Sequence, residues 1–406
     1  MQIQLKKSKI NSFSELKITG SKSESNRVLL LQALFEGLEI KNISNSDDSQ
    51  LMQKALKSNS SVVDIHHAGT AMRFLTAYYA TRLGKTTTLT GSSRMQERPI
   101  KILVDALNTL GASISYTKND GYPPLLIEGK TLTKSNVQMK ANVSSQYISA
   151  LLLIAPTLEN GLTLDLEGEI TSTPYIKMTL SLLNEMGVQT SFETNTITVF
   201  PFRQLASKTF VIESDWSSAS YFYSIVALSP VDTQIAISAY KSTSLQGDAI
   251  LQKIYKDLGV ESTFNGTTLI LKKIETSSPN CLSIDLSNAP DIAQTIAVTC
   301  LGLKIDCDLT GLHTLKIKET DRLVALKNEI QKLGTTINIT NNSLQLKSPL
   351  DLNPGVVIST YNDHRMAMAF APLALKTQLF IDDAEVVSKS YPDFWNDLKT
   401  IGFTIE

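Results

Sequence analysis

Cysteine is scarce in this chain of 406 residues: only Cys281, Cys300 and Cys307 occur, with no CxxC pair. That excludes a disulfide framework and a thiolate metal cluster. Each cysteine lies in an apolar or strand-like stretch, which reads as a buried, reduced thiol of a cytoplasmic protein. The four histidines show no HxxxH pairing. His66 and His67 are adjacent and are expected to point apart, so neither a metal site nor a cofactor is implied. An excess of one charge is also missing, since the formal net charge is −1. No basic field points to nucleic acid, and any anion recognition must be local. No apolar run reaches membrane-span length, Tyr147–Leu158 being the nearest, and the opening MQIQLKKSKI has no apolar signal-peptide core. No Pro/Gly/Ser-rich linker or low-complexity segment appears. What remains, with 42% hydrophobic and 19% charged residues, is an ordinary globular composition long enough for two or three domains.

The chain repeats in pattern rather than in letters. A small or acidic cap opens an apolar helix at Ser21–Leu34, Gly69–Ala80, Ser144–Ala155, Ser217–Leu228, Pro290–Leu301 and Asp363–Leu375. From the second onward the starts recur about every 75 residues, the length of a supersecondary unit. A strand-like run and a second helix follow. Five second helices end at Leu110–Gly111, Met186–Gly187, Leu258–Gly259, Leu333–Gly334 and Ile401–Gly402, with glycine where the backbone leaves a helix. Hairpins come next, for example Val188–Phe200 turning at Asn195 and Val260–Leu271 turning at Asn265–Gly266. The first unit is short of a full hairpin. The sixth ends on one strand, Phe403–Glu406, for which Gln2–Lys6 is the expected partner. The reading is an α/β protein of two similar domains with three units each. Residues 21–212 form one, and residues 1–20 with 213–406 form the other. The first helix of each unit is apolar nearly all round and belongs inside, sheathed by sheet.

Polar and cationic residues gather at the helix starts, where backbone N–H groups and the dipole already favour anions. The densest stretch is Lys318–Glu319–Thr320–Asp321–Arg322, before an apolar series at Leu323, Leu326, Ile330 and Leu333 that marks a helix face. A solvated helix start explains its acids but not two cations in the same turn; an anion site beside a carboxylate explains both. Gly20–Arg27 puts Lys22, Ser23 and Arg27 at another start, without the spacing of a nucleotide-binding P-loop. Gly69 allows close backbone approach, and Arg94 and Arg98 precede Pro99, a helix-start proline. Ser144–Ser145–Gln146 and Ser172–Thr173 supply hydroxyls and an amide. Asp291 opens the fifth unit's helix. Asn362–Asp363–His364–Arg365 sets cations against a helix dipole, which calls for an anionic partner. Lys389 precedes the last helix.

Together these motifs, GSKSESNR (20–27), AGTAMR (68–73), RMQERP (94–99), SSQ (144–146), KETDR (318–322), NDHRMAM (362–368) and SKSYPDF (388–394), resemble the 5-enolpyruvylshikimate-3-phosphate synthase family, in order and across nearly the whole chain. The resemblance implies two domains of three βαβαββ units each, an inside-out α/β barrel, with the active site in the interdomain cleft. It implies transfer of the enolpyruvyl group of phosphoenolpyruvate to the 5-hydroxyl of shikimate 3-phosphate, releasing phosphate. By resemblance, Lys22, Gly69, Arg94, Gln146, Arg322, Arg365 and Lys389 hold phosphoenolpyruvate. Lys22, Ser23, Arg27, Ser144, Ser145, Gln146, Ser172, Asp291 and Lys318 hold shikimate 3-phosphate. Asp291 resembles the base and Glu319 the acid, with Lys22 and Lys389 sharing proton handling. The resemblance also implies a cytoplasmic monomer, without cofactor, metal, nucleic acid or membrane, that glyphosate inhibits. His67 and Thr314 stand where many members have Asn. A UDP-N-acetylglucosamine enolpyruvyl transferase would carry a cysteine near the arginine-rich turn, where this chain has Met95, Gln96 and Glu97. A non-catalytic relative would have lost Asp291 or Glu319.

Overall fold

The computed structural model describes the chain except for residues 141–143, 169, 171–172, 204–206 and 278. Its contacts divide it into two units, one made of Gly20–Ile212 and the other of Met1–Thr19 with Glu213–Glu406.

Among the described residues each unit carries six α-helices. The first holds α1 (Lys22–Leu34), α2 (Asp47–Leu56), α3 (Gly69–Ala80), α4 (Lys101–Thr109), α5 (Ser145–Ile154) and α6 (Thr173–Met186). The second holds α7 (Trp216–Ala227), α8 (Leu251–Lys256), α9 (Ala293–Leu303), α10 (Arg322–Lys332), α11 (His364–Phe370) and α12 (Phe394–Ile401). The odd-numbered helices are the apolar ones. Every residue of α3 and of α11 is buried, and α3 packs on α5 as α9 packs on α7 and α11. Each fully buried Leu, Ile or Phe here contributes roughly 1.5–3 kcal/mol, so these internal helices are held by burial on all sides. Their hydroxyls are satisfied within the bundle: Thr299 Oγ1 bonds Ser224 Oγ at 2.8 Å, and Ser220 Oγ meets Thr295 Oγ1 at 3.1 Å. The even-numbered helices keep one wet face; α12 buries Phe394, Leu398 and Ile401.

Four of the sheets share one topology. In each, two parallel strands are followed by an antiparallel hairpin whose second strand pairs with the second parallel strand; in three of them an odd-numbered helix joins the parallel strands, and in the fourth the strands Phe13–Leu16 and Gln234–Ile237 are separated in sequence by all of residues 20–212. In the sheet of Val62–Asp64, Thr86–Thr90, Leu125–Glu128 and Ser113–Tyr116, the crossover is α3. The glycines expected past the second helices, Gly111, Gly187, Gly259, Gly334 and Gly402, all have positive φ, from 78° to 114°, a conformation that costs other residues a Cβ clash.

The two shorter sheets are completed from far away in sequence. Leu38–Lys41, the strand of the short first unit, pairs in parallel with Lys208–Val211, a partner the sequence pattern did not single out. Ile3–Leu5 pairs antiparallel with Leu379–Ile381, and on its other side Gln4 and Glu406 exchange backbone hydrogen bonds of 2.8 and 3.0 Å. The amino-terminal strand thus lies between the last unit and the last residues. One turn shifts by a residue: Asn265 pairs with Thr268, so the hairpin turns at Gly266–Thr267. Cys300 and Cys307 are buried, but Cys281 is exposed. It begins a strand in which Leu282, the next residue, takes the inward face, as the two-residue period of a strand requires.

Candidate active site

In the unit containing the amino terminus, the cluster is built on three helix starts. Asp291 sits in the turn Pro290–Ile292 ahead of α9, Asp363 caps α11, and Arg322 is the first residue of α10. The segment Lys318–Asp321 is not helical. Asp321 caps α10, accepting from the backbone N–H groups of Leu323 and Val324, each at 3.2 Å. The pairwise helix spacing expected between Lys318 and Arg322 therefore does not arise, and Glu319 is not a cap. The chain bends here because Asp321 competes for the first N–H groups of the helix.

Arg322 is 2% exposed and holds three carboxylates. Its Nε donates to Asp363 Oδ2 at 2.6 Å, Nη1 to Asp291 Oδ1 at 2.9 Å and Nη2 to Glu319 Oε2 at 2.9 Å. Burial opposes its charge, yet Asp363, Glu319 and Asp291 together raise its proton affinity above the usual range. Asp291 in turn faces three cations: Lys318 Nζ at 3.3 Å, Arg322 Nη1, and Arg365 Nη2 at 3.4 Å. Burial pushes the Asp291 carboxyl up, but Lys318, Arg365 and Arg322 outweigh it and hold it well below the usual carboxylate range. Arg365 also donates to the Asp291 carbonyl at 3.1 Å and to Ser217 Oγ at 3.2 Å. Ser217 donates to Asp248, whose carboxyl burial and neighbouring Asp291 push up to about 6. Lys389 reaches the carbonyl of Asn362 at 2.7 Å, next to the cap of α11. The anionic partner required by the cations at the start of α11 is thus Asp291.

In the other unit Lys22, the first residue of α1, faces Asp48 Oδ2 at 3.4 Å. His67 Nε2 approaches Asp47 and Asp48 at 3.9 and 4.0 Å. The two adjacent histidines do not point apart: their Nδ1 atoms are 2.9 Å apart, because the positive φ of His66 (48°) turns the rings toward each other. Ser144 caps α5, accepting from the Gln146 N–H, with Ser145 as the first helical residue. The Gln146 amide donates to Thr70 Oγ1 at 3.2 Å, linking the starts of α5 and α3 next to Gly69. Arg94 lies at the protein surface with Glu97 Oε2 at 2.9 Å.

Arg27 is turned inward. It donates to Thr179 Oγ1 (2.8 Å), the Ser23 carbonyl (2.7 Å), Ser149 Oγ (3.0 Å) and the Tyr175 carbonyl (3.3 Å). Four of its five N–H donors are thereby engaged, and burial pushes its pKa down to about 10. In this state it ties Ser23 in α1 to Ser149 in α5 and to Tyr175 and Thr179 in α6. Ser172 lies outside the described residues.

Five polar residues of these clusters were not singled out as site residues by sequence. Asp363 sits inside the NDHR motif, whose charge pattern draws attention to the arginine instead. Ser217 and Arg98 stand at helix starts that the sequence marks, but without a site role; Asp48 and Asp248 have no local signature, and only the fold brings them to the starts they face.

A profile of the family described as EPSP synthase (3-phosphoshikimate 1-carboxyvinyltransferase) matches residues 54–398. The chain belongs to the EPSP synthase family. A 3-phosphoshikimate 1-carboxyvinyltransferase of Bacteroides fragilis is 47% identical over 96% of both chains, and one of Shewanella pealeana is 34% identical over 95% of this chain and 96% of its own. Among solved structures, the EPSP synthase of Acinetobacter baumannii superposes with a TM-score of 0.79 at 21% identity, covering 100% of this chain and 99% of its own. The enolpyruvyl transferase NikO of Streptomyces tendae gives 0.74 at 14%, covering 100% and 98%. At those identities the two structures bear on the fold, which is α/β from end to end.

Proposed function

We propose that this member of the EPSP synthase family transfers the enolpyruvyl group of phosphoenolpyruvate to the 5-hydroxyl of shikimate 3-phosphate, with Asp291 as base and Glu319 as acid. The observation that carries the assignment is the shared cation: Arg322 holds both carboxylates at 2.9 Å, within one cluster that also contains Lys318 and Arg365.

In the addition step Asp291 takes the proton of the 5-hydroxyl as its oxygen bonds to C2 of the donor. Glu319 supplies a proton to C3, and a tetrahedral intermediate forms. In the elimination step the C2–phosphate oxygen bond breaks, C3 loses a proton, and the enolpyruvyl ether and phosphate leave. Arg322, Arg365 and Lys389 serve the donor's negative charge, as do Lys22, Arg94, Gln146 and the backbone at Gly69. Ser23, Arg27, Ser144, Ser145, Ser172 and Lys318, with Lys22 and Gln146 again, serve the acceptor, and Lys22 and Lys389 also share proton handling.

The low proton affinity of Asp291 bears on the order of events. Surrounded by three cations it is a weak base. A donor carboxylate that engages Arg322 and Arg365 offsets those charges and raises its basicity, so the base strengthens when the donor arrives.

The test is phosphate release from phosphoenolpyruvate with shikimate 3-phosphate or UDP-N-acetylglucosamine as acceptor. Turnover with the first alone is expected; turnover with the second, or with neither, overturns the proposal. By the same family reading the chain is a cytoplasmic monomer inhibited by glyphosate. Elution as a single chain and loss of phosphate release with that inhibitor are the corresponding checks. Among the described residues no helix is long and apolar enough to cross a membrane.

A further inference from the structure

We infer that Glu329, outside the cluster described above, is a positioning residue of the proposed reaction: through Tyr361 it holds the turn that presents the Asn362 carbonyl to Lys389. The inference rests on the function proposed above. Glu329 lies two helical turns after Arg322 in α10, on the same face. Its carboxylate is fully buried, a state that a charge tolerates only with close partners. Oε1 accepts from Tyr361 Oη at 2.7 Å, and Oε2 accepts from the Ser359 N–H at 3.0 Å and from Lys332 Nζ at 2.5 Å.

Helix α10 therefore grips the segment leading into α11 at two points. At one, Arg322 binds Asp363, the cap of α11; at the other, Glu329 binds Ser359 and Tyr361. Between the grips the backbone takes an uncommon path. The Asp363 N–H donates to the Thr360 carbonyl at 2.9 Å, closing a turn whose two inner residues, Tyr361 and Asn362, have φ of 54° and 55°. Gly, Asn and Asp dominate turns of this kind, because other side chains crowd the backbone at positive φ. Asn362 fits that preference and Tyr361 opposes it. The side chain of Tyr361 is accordingly held from outside: its hydroxyl donates to Glu329 and accepts from Asn328 Nδ2 at 3.4 Å. Burial and the Glu329 bond raise the proton affinity of that hydroxyl, which stays a donor.

The turn delivers two groups to the site. The Asn362 carbonyl accepts from Lys389 Nζ at 2.7 Å, and the next residue, Asp363, meets Arg322 Nε at 2.6 Å. A turn relaxed to negative φ re-aims the peptide between Asn362 and Asp363 and takes the carbonyl away from Lys389. Lys389 serves the donor in the proposed reaction, so loss of the Glu329 anchor is felt on the donor side.

The test is steady-state phosphate release, with thermal melting alongside, for Tyr361→Phe, Glu329→Gln, Glu329→Ala, the double variant of Tyr361→Phe with Glu329→Ala, and Lys332→Met. Tyr361→Phe keeps the ring and removes only the hydroxyl. It is expected to lower kcat/KM for phosphoenolpyruvate about tenfold or more, the worth of one hydrogen bond to a charged group, while KM for shikimate 3-phosphate stays within about twofold. Glu329→Gln keeps an acceptor for the hydroxyl and should lose less than Glu329→Ala. In the double variant Tyr361→Phe should add less than about twofold, because contacting residues couple. Lys332→Met removes a partner of Glu329 that is not on the turn; its melting temperature should fall while kcat/KM holds. An unchanged kcat/KM in Tyr361→Phe overturns the inference, whether or not Glu329→Ala folds. Losses that follow melting temperature in every variant, Lys332→Met included, overturn it as well, since they mark a structural role only. A wild-type chain that releases no phosphate from this substrate pair overturns the functional reading and this inference together, whereas either of the former results in an active enzyme overturns this inference alone.

Discussion

At Glu319 two roles separate by one substitution. Its carboxylate pairs with Arg322, and the cap of α10 is Asp321, so Glu319→Gln removes one of three anions around a buried cation. The stability cost should stay near 1 kcal/mol, because Asp291 and Asp363 remain. Turnover should fall by about 10²–10⁴-fold if Glu319 is the acid, and solvent tritium should no longer enter the product's methylene. Near wild-type turnover would leave it as an ion-pair partner only. Asp248 carries the pH prediction. Its folded pKa of about 6 lies above the ordinary 3.8, so the fold favours the protonated form. The stability this contributes is full below pH 3.8 and is lost as pH rises to about 6, a span of about 3 kcal/mol at most. Asp248→Asn does not titrate, so wild type minus variant should decline across that window and then level off. Urea midpoints from pH 4 to 7 measure it, and a constant difference would contradict it. At Gly69 a methyl meets Arg98. Gly69→Ala should raise the inhibition constant for glyphosate more than KM for phosphoenolpyruvate, the longer ligand being more crowded. Equal changes would mean uniform crowding.

At the scale of elements, the helices were the legible part. The six apolar helices and the glycines after the second helices follow from periodicity and from the one residue that takes a left-handed exit without strain. Gly402 shows the strength of that signal, with φ at 114° and a Cβ position 3.1 Å from the Ile10 Cα. Gly402→Ala should cost about 1 kcal/mol or more, read as a lower melting temperature, whereas an unchanged melt would count against the strain. Pairings over long sequence distances were less legible. Nothing near Leu38–Lys41 names Lys208–Val211 as its partner, because a parallel pair has no turn to announce it. The site shows the same division. Cations at helix starts stand out by position, while Asp48 and Asp248 reach those starts through the fold alone. The charge pattern of 318–322 predicts a helix start, but the residues before Arg322 lie outside the helix because Asp321 caps it.

At the scale of the whole molecule, one unit is continuous in sequence and the other is not. Gly20–Ile212 contains both strands of every pair that it uses, whereas residues 213–406 lack Ile3–Leu5 and Phe13–Leu16, which pair with Leu379–Ile381 and Gln234–Ile237. A fragment of residues 20–212 should therefore unfold cooperatively on its own. A fragment of residues 213–406 should not, until a peptide of residues 1–19 is supplied. Circular dichroism melts of the two fragments, with and without the peptide, check this; a cooperative melt of residues 213–406 alone would refute it.

The clasp of first strand to last also has a consequence in time. A ribosome makes Ile3–Leu5 more than 370 residues before Leu379–Ile381. At about 5–20 residues per second, the interval is on the order of tens of seconds. Throughout it the continuous unit can emerge and fold, while the opening strand waits with both edges unpaired. This strand leaves the ribosome long before its partner, so the new chain carries an open sheet edge, a template for wrong pairing, until that partner is made.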